Sequence, residues 1–112
     1  MALRPEILRF QRDFDRLYKK GRSAGDKYVV VFHIANGLSY SRRAFIASKK
    51  VGGAVARNRA RRLMKEGFRK IENEIHAGKD LLFIARRETA AAGGKEVEQS
   101  IRRVLGKSGL LR

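Results

Sequence analysis

The sequence predicts an α+β fold in which three helices pack on a small, mainly antiparallel sheet of about four strands. Apolar residues recur at helical spacing in three segments of the chain. Short segments rich in β-branched and aromatic residues lie between the first and second helices, and one compact apolar run separates the second from the third. The resulting order is α-β-β-β-α-β-α. The 112 residues are expected to form one domain over residues 1–112.

An apolar stripe predicts the first helix. Its members recur at steps of four, three and one residues: Phe10, Phe14, Leu17 and Tyr18. Gly21 is placed to end this helix. Lys19 and Lys20 lie just before Gly21, where cations suit the negative end of the helix dipole.

The next segments predict strands. Residues 27–34 are β-branched and aromatic. In a strand they would place Tyr28, Val30 and Phe32 on one face, and Val29, Val31 and His33 on the other. Asn36-Gly37 is a turn signal, so residues 43–48 are expected to pair antiparallel with the preceding strand. Residues 22–24 are a candidate for a short edge strand.

The second helix is expected over residues 54–75, with a buried stripe and a basic outer face. The buried stripe contains Ala56, Ala60, Leu63, Met64, Phe68, Ile71 and Ile75. The opposite face contains Asn58, Arg62, Lys65 and Arg69, with Arg61 at its edge. Residues 80–86 then predict a buried strand. A small-residue linker over 89–94 leads to a final helix that ends near Gly106.

The charge of the chain indicates a polyanionic partner. Lys and Arg total 27 against 11 acidic residues, which gives a net charge of +16 and a pI near 11.3. With 43% hydrophobic residues the chain is not a disordered basic tail. Nucleic acid is therefore the favoured partner, ahead of an anionic membrane surface. No apolar run approaches the roughly 20 residues of a membrane span.

The absence of cysteine excludes disulfides and thiolate metal sites. Residues 1–5 lack the apolar core of a secretion signal. The cytoplasm is the expected location.

The second helix carries the strongest functional signal. Seven of the fourteen residues from 57 to 70 are cationic, and Glu66 is the only carboxylate between Ala54 and Ile71. Cations three or four residues apart on a helix repel by a few tenths of a kcal/mol per pair. A solvated surface face normally intersperses acidic partners, so contact with RNA or DNA is favoured here. Arginine suits phosphate because its planar fork donates in pairs, and Asn58 adds an acceptor that could read a base edge or 2′-hydroxyl.

Two further features have a structural and a functional interpretation. A phosphate-binding site at the start of the second helix could be formed by Gly52 and Gly53, with Lys49 and Lys50 upstream. Alternatively, the two glycines only allow the turn that leads into the helix. The aromatic residues are a candidate stacking surface for single-stranded nucleic acid, although core packing explains most of their atoms. They are Phe14, Tyr18, Tyr28 and Phe32.

No catalytic constellation is visible in the sequence. His33 and His76 are far apart and have no ligand-spaced partners. Asp13 and Asp15 are two apart on a helix and point in different directions. The chain is not expected to cut a substrate by itself.

Taken together, these motifs resemble the protein component of bacterial ribonuclease P. The resemblance rests on Ser48-Lys49-Lys50-Val51-Gly52, Ala56-Arg57-Asn58-Arg59, Arg61-Arg62, Lys65-Glu66 and Phe68-Arg69. Asp13-Phe14 and Tyr18-Lys19-Lys20-Gly21 resemble the first helix of that family, and residues 80–86 resemble its last strand. The similarity runs from about Phe10 to Leu111.

The resemblance implies that a catalytic RNA subunit removes the 5′ leader of precursor tRNA, assisted by magnesium ions held mainly by RNA. We therefore expect no cofactor bound by the protein itself and no obligate protein partner. The resemblance implies that the RNA subunit is contacted by Arg57, Asn58, Arg59, Arg61, Arg62 and Lys65. To these expected contacts with the RNA subunit we add Arg69 from the basic face of the second helix, and Lys49 and Lys50 from the segment that leads into it. The single-stranded leader would lie in a cleft lined by Phe14, Tyr18 and Phe32, and the aromatic set adds Tyr28. A left-handed strand-helix-strand crossover is also implied, against the general rule.

Other classes remain open. A small ribosomal protein or RNA chaperone fits the charge and size equally well. A protein-only nuclease would need a carboxylate cluster, which the sequence does not suggest.

Overall fold

A computed structural model of the protein describes residues 4–112. The prediction of no secretion signal rests partly on residues 1–3, which lie outside the described part. The helices and strands are α1 (Gln11–Lys20), β1 (Arg22–Gly25), β2 (Val29–Ala35), β3 (Arg42–Ile46), α2 (Ala54–Arg69), β4 (Lys79–Ala85) and α3 (Gly94–Lys107). Single 3₁₀ turns span Glu72–Glu74 and Thr89–Ala91. None of the helices described is long and apolar enough to cross a lipid bilayer.

The sheet confirms the predicted fold class and element order. Its four strands are arranged β1-β2-β4-β3, and only the β3–β4 pair is parallel. The predicted antiparallel pairing of β3 with the strand before it is wrong, because β4 lies between β2 and β3. The composition of β4 explains this. Residues 81–85 are all apolar, so β4 takes a central position where five of its seven residues are buried, whereas every residue of β3 keeps some exposure at the edge.

The second helix is shorter than predicted. It ends at Arg69, and the chain then makes a 3₁₀ turn before β4. Ile71 and Ile75 remain buried, as their spacing predicted, but they lie outside the helix. The turn brings Ile75 beside Leu111, with which it forms an isolated antiparallel bridge. Packing against the C-terminal segment therefore overrides the helical periodicity here.

Each face of the sheet has its own apolar cluster. One face, here called the α2/α3 face, packs Val29, Val31, Leu81 and Phe83 against those two helices. The α1 face carries the smaller cluster of Leu8, Leu17 and Leu82. Because side chains alternate along a strand, neighbours such as Val31 and Phe32 contribute to opposite faces.

A buried ionic network holds α1 against the sheet. The Arg42 guanidinium donates to Asp80 Oδ1 at 2.8 Å and Oδ2 at 2.6 Å, and contacts Asp13 of α1 at 3.5 Å. Asn36 Nδ2 also donates to Asp80 Oδ1, at 2.9 Å. Asp80 is 1% exposed, and the hydrogen bonds to it raise the pKa of Arg42. Such a pair is costly to break, because removing one partner leaves a buried charge.

Candidate nucleic-acid interface

The outer side of α2 presents the predicted basic face. Asn58, Arg62, Lys65 and Arg69 are exposed, and Arg61 is half-buried at the border. On the inner side of the helix, Ala60, Met64 and Phe68 are buried. The rings of Phe68 and Phe83 lie 4.9 Å apart between centroids, which fixes the rotation of α2 on the sheet. Core packing therefore decides which residues of α2 meet solvent.

Much of the charge near this face has no partner within the protein. Among residues 4–112, the side chains of Arg57, Arg62 and Lys65 form no ion pair. Arg69 pairs with Glu66 at 3.0 Å and lowers the pKa of that carboxyl. Both of those side chains are largely exposed, so the pair contributes little stability. The basic face can therefore accept several phosphate groups without first breaking a strong internal contact.

Asn58 is oriented by its neighbour one turn along. Arg61 Nη2 donates to Asn58 Oδ1. The bond uses one acceptor position of the amide and leaves its two N–H donors for a ligand. Asn58 is thus positioned to add directional hydrogen bonds to a surface that otherwise only donates from cations.

Arg59 differs from the other cations of α2 because its hydrogen-bond partners lie outside the helix. Its Nε donates to the Ala90 carbonyl at 2.7 Å, and its Nη2 to the Ala92 carbonyl at 3.2 Å. These bonds tie α2 to the connection before α3. Three of the five N–H donors of a guanidinium stay uncommitted, so Arg59 combines a structural contact with capacity for a ligand.

The entrance to α2 supports both interpretations of its glycines. Gly52 adopts φ of +143°, and a Cβ there would lie 3.0 Å from Ala56 Cβ, so the turn itself requires glycine. Gly53 has open space around its Cα. No side chain caps the helix and no acidic residue lies in its first turn. The exposed Lys49 and Lys50 therefore lie beside the N-terminus of α2, where no acidic side chain in the first turn compensates the positive end of the helix dipole.

The α1 face forms the second part of the interface. Strand register places Ser23, Phe32, Leu82 and Ala44 in one row across the sheet, and Gly25, Val30, Ile84 and Ile46 in the next. Tyr18 of α1 lies edge-on to Phe32, with ring centroids 5.1 Å apart. Tyr18 is 47% exposed, whereas Leu17 beside it is fully buried. The Tyr18 ring is therefore supported by the core and free on its outer side.

Phe14 joins this surface, but Tyr28 does not. Phe14 is half-buried against the Leu17 and Leu82 cluster. Tyr28 precedes β2 and packs on the α2/α3 face, where its hydroxyl donates to Glu96 Oε2 at 3.0 Å. The predicted placement of Tyr28 on one face with Phe32 is wrong. The reason is local. The Tyr28 amide donates to the Asp26 carboxylate in a turn before β2, so the alternation of side chains along the strand does not extend to Tyr28.

Two exposed or partly exposed apolar features were not among the site residues predicted from the sequence. Phe10 is 57% exposed just before α1, with the Arg12 guanidinium 5.1 Å from its ring centroid. Val30, Ile84 and Ile46 form a partly exposed apolar row. The alternation of β2 and β4 contains the signal for this row, but the pairing order was needed to align the strands. Phe14, Tyr18, Phe32 and this row are hereafter called the leader cleft, after the RNA segment that the family resemblance leads us to expect there.

The acidic and imidazole groups are the side chains that could hold a metal ion or transfer a proton. No group of three or more His, Cys, Asp and Glu side chains within residues 4–112 could hold a metal ion. Asp13 of α1 and Asp80 of β4 both contact Arg42, whereas Glu66 and Glu72, which line the pocket beside Phe14 and Ile46, pair with Arg69 and Arg43. His33 lies on the α2/α3 face beside Arg22, and burial together with Lys79 and Arg22 lowers its pKa. His76 is exposed at the end of the 3₁₀ turn region.

Comparison with known sequences identifies close relatives. The sequence family described as Ribonuclease P matches residues 3–109. The ribonuclease P protein component of Clostridioides difficile is 40% identical over 106 residues, which cover 94% of this chain and 93% of that protein. The corresponding protein of Alkaliphilus metalliredigens is 38% identical over 104 residues, covering 93% and 94%.

A solved structure supports the same relationship. The RNase P protein of Staphylococcus aureus superposes with a TM-score of 0.86 at 29% sequence identity, covering 97% of this chain and all of that one. The similarity therefore extends over the whole arrangement of helices and strands, including the elements that carry the basic face and the leader cleft.

Proposed function

Since the chain belongs to the ribonuclease P protein family, which acts in tRNA 5′ processing, we propose that it is the protein subunit of the ribonucleoprotein that removes the leader of precursor tRNA. Its partner is a catalytic RNA, and the RNA carries the chemistry. The protein neutralises phosphate repulsion in the assembly and holds the leader. This activity takes place in the cytoplasm, and the chain needs no other protein partner.

The observation that carries the proposal is the unpaired charge of α2. Arg57, Arg62 and Lys65 project from a helix whose inner side is locked in the core, and they form no ion pair within residues 4–112. Lys49 and Lys50 continue this positive surface to the helix N-terminus. A folded RNA offers closely spaced phosphates that match such an array, and its release of counterions favours binding.

The leader cleft supplies the second half of the proposal. Its aromatic and aliphatic surface is suited to unpaired bases, because every base has a face that can stack on an aromatic ring. Tyr18 is the best-placed ring, since its position is fixed by Phe32 while its outer side is exposed. A single-stranded leader fits this surface better than a duplex, whose bases are already stacked.

The magnesium ions of the reaction are assigned to the RNA in this proposal. Asp13 and Asp80 pair with Arg42, and Glu66 and Glu72 beside the cleft pair with Arg69 and Arg43. Within residues 4–112 no three acidic or imidazole side chains are grouped to hold a metal ion, whereas magnesium needs several oxygen ligands.

Binding measurements on the reconstituted complex test the proposal. The protein is combined with its RNA subunit, and affinity is measured for precursor tRNA and for mature tRNA. We expect the protein to tighten binding of the precursor selectively, because only the precursor carries a leader. Equal affinities with and without the protein would refute the proposal.

The RNA that copurifies with the chain distinguishes the alternative classes. One catalytic RNA together with precursor tRNA supports the proposed subunit. Ribosomal RNA would instead indicate a ribosomal protein or RNA chaperone. Metal-dependent cleavage by the purified chain alone would indicate a protein-only nuclease.

A further inference from the structure

A second group of cations lies outside both the basic face and the leader cleft. Lys20, Arg22 and Lys79 surround a cavity of about 300 Å³ on the α2/α3 face, with His33 in its wall. The end of α3 closes the cavity through Ser108, Gly109 and Leu110. Lys20, Arg22, His33 and Lys79 are hereafter called the rear cluster.

The strand register holds the rear cluster together. Arg22 of β1 lies opposite His33 of β2, and Lys79 of β4 lies opposite Ala35, two residues further along β2. Directly opposed residues point to the same face, as do residues two apart on a strand. Arg22, His33 and Lys79 therefore converge on one side of the sheet.

Gly21 brings Lys20 to the same place. A Cβ at Gly21 would collide with the Leu17 carbonyl and would lie 3.0 Å from the His33 carbonyl. The missing side chain lets the end of α1 approach β2 closely. Lys20 and Arg22, on either side of Gly21, are thus placed beside His33.

No acidic side chain compensates the charge of the rear cluster. Among residues 4–112, Lys20, Arg22 and Lys79 form no ion pair, and no acidic side chain lines the cavity. The nearby Asp80 points to the other face, where it binds Arg42. Burial is the main cause that lowers the pKa of His33, and the charges of Lys79 and Arg22 lower it further.

The rear cluster lies close to the leader cleft across one edge of the sheet. His33 follows Phe32 and points to the opposite face, and Arg22 likewise precedes Ser23, which shares the row of Phe32. β1 is the edge strand on this side. β1 alone, about 4.8 Å from β2, separates β2 from this edge, so a nucleic-acid strand held on Tyr18 and Phe32 would pass outside β1 and across the thickness of the sheet to reach the rear cluster.

We propose that the rear cluster binds backbone phosphates of the single-stranded leader after the leader leaves the cleft and passes round the edge of β1. The inference rests on the proposed function, because it extends the path of the same RNA. A free small anion would satisfy the same cations, so the test must distinguish an RNA phosphate from inorganic phosphate.

The test uses the full chain and single-stranded oligouridylates of two lengths. The shorter one spans only the leader cleft, and the longer one can pass the β1 edge. The imidazole NMR signals of His33 report on the rear cluster directly. We expect the longer oligonucleotide to shift these signals at saturation, whereas the shorter one and inorganic phosphate at the same phosphate concentration leave them in place.

A variant and a matched control measure the contact. Lys79→Gln should reduce the slope of log affinity against log salt for the longer oligonucleotide by about 0.7, the value for one phosphate contact on a single strand. Arg22→Gln should do the same. Lys95→Gln removes an exposed cation from the start of α3 and should leave the slope unchanged.

Three outcomes would overturn the inference. An unmoved His33 signal with the longer oligonucleotide excludes contact with RNA. An unchanged slope for both Lys79→Gln and Arg22→Gln excludes the phosphate contacts. A His33 shift that inorganic phosphate reproduces in full indicates a small-anion site. If Tyr18→Ala still weakens binding of the shorter oligonucleotide in these cases, only this inference fails and the proposed function stands.

Discussion

Tyr18 and Phe32 stand edge to face, with ring centroids 5.1 Å apart and ring planes inclined at 68°. Tyr18 belongs to α1 and Phe32 to the sheet, so the contact joins the two walls of the leader cleft. The contact fixes the orientation of an aromatic ring that is 47% exposed. A ring held in this way can stack with a base without first losing much side-chain freedom.

Replacing Tyr18 by alanine should weaken binding of the leader specifically. Loss of one base-aromatic stack costs about 1–3 kcal/mol, so the affinity of the reconstituted complex for precursor tRNA should fall by about 5- to 150-fold. Tyr18→Phe keeps the ring and should stay near wild type. Affinities for precursor and leaderless tRNA are compared, and an equal loss for both would contradict the assignment of Tyr18.

Replacing Arg62 by alanine should weaken binding of the RNA subunit with little effect on folding. Arg62 is exposed and has no ion-pair partner within residues 4–112. Each lost phosphate contact should lower the salt slope of binding by about one unit, and Arg57→Ala should behave similarly. Lys95→Ala, on α3, is the control. A slope that stays at the wild-type value in both α2 variants would remove these residues from the interface.

Arg59→Ala should differ from Arg62→Ala because Arg59 also supports the fold. It loses hydrogen bonds to the Ala90 and Ala92 carbonyls, each of which contributes about 0.5–1.5 kcal/mol. We expect the free energy of unfolding, measured in urea, to fall by about 1–3 kcal/mol. Stability equal to that of Arg62→Ala would mean that the contacts to the connection before α3 contribute nothing.

The stability of the protein should depend on pH through Asp26. Burial would raise the pKa of this carboxyl, but hydrogen bonds from the Ser100 hydroxyl, the Tyr28 amide and Arg103 outweigh burial and lower it below the usual 3.8. A lowered pKa in the folded state stabilises the protein above pH 3.8, and this stabilisation is lost as the pH falls through the folded-state pKa.

Asp26→Asn isolates that contribution. The variant should be less stable than wild type near neutral pH, and the difference should shrink as the solution is acidified below about pH 4. Urea unfolding at a series of pH values measures it. A difference that stays constant over this range would show that the charge of Asp26 is not involved.

Local patterns predicted the parts of the interface that lie within a single element. The helical spacing of Ala60, Met64 and Phe68 placed them in the core, and this fixed Arg62 and Lys65 on the outside of α2. Alternation along β2 correctly separated Phe32 from Val31. In both cases the periodicity of one element decides which side chains meet solvent.

Features that depend on how elements meet could not be predicted in the same way. The predicted partner of β3 was wrong. The prediction assumed that strands adjacent in sequence are also adjacent in space, as they usually are, but the strongly apolar β4 takes the central position here. Tyr28 does not follow the side-chain alternation of β2, because its amide donates a hydrogen bond to the Asp26 carboxylate in a turn. The bonds from Arg59 to Ala90 and Ala92 cross between segments about thirty residues apart and leave no local signal.

The central claim is that this chain assists an RNA catalyst and does not itself cut the substrate. Cleavage of precursor tRNA at near-physiological magnesium tests it most directly, with the RNA subunit alone, the protein alone and both together. We predict efficient release of the 5′ leader only when both are present. Cleavage by the protein alone, or no gain when it joins the RNA, would contradict the account.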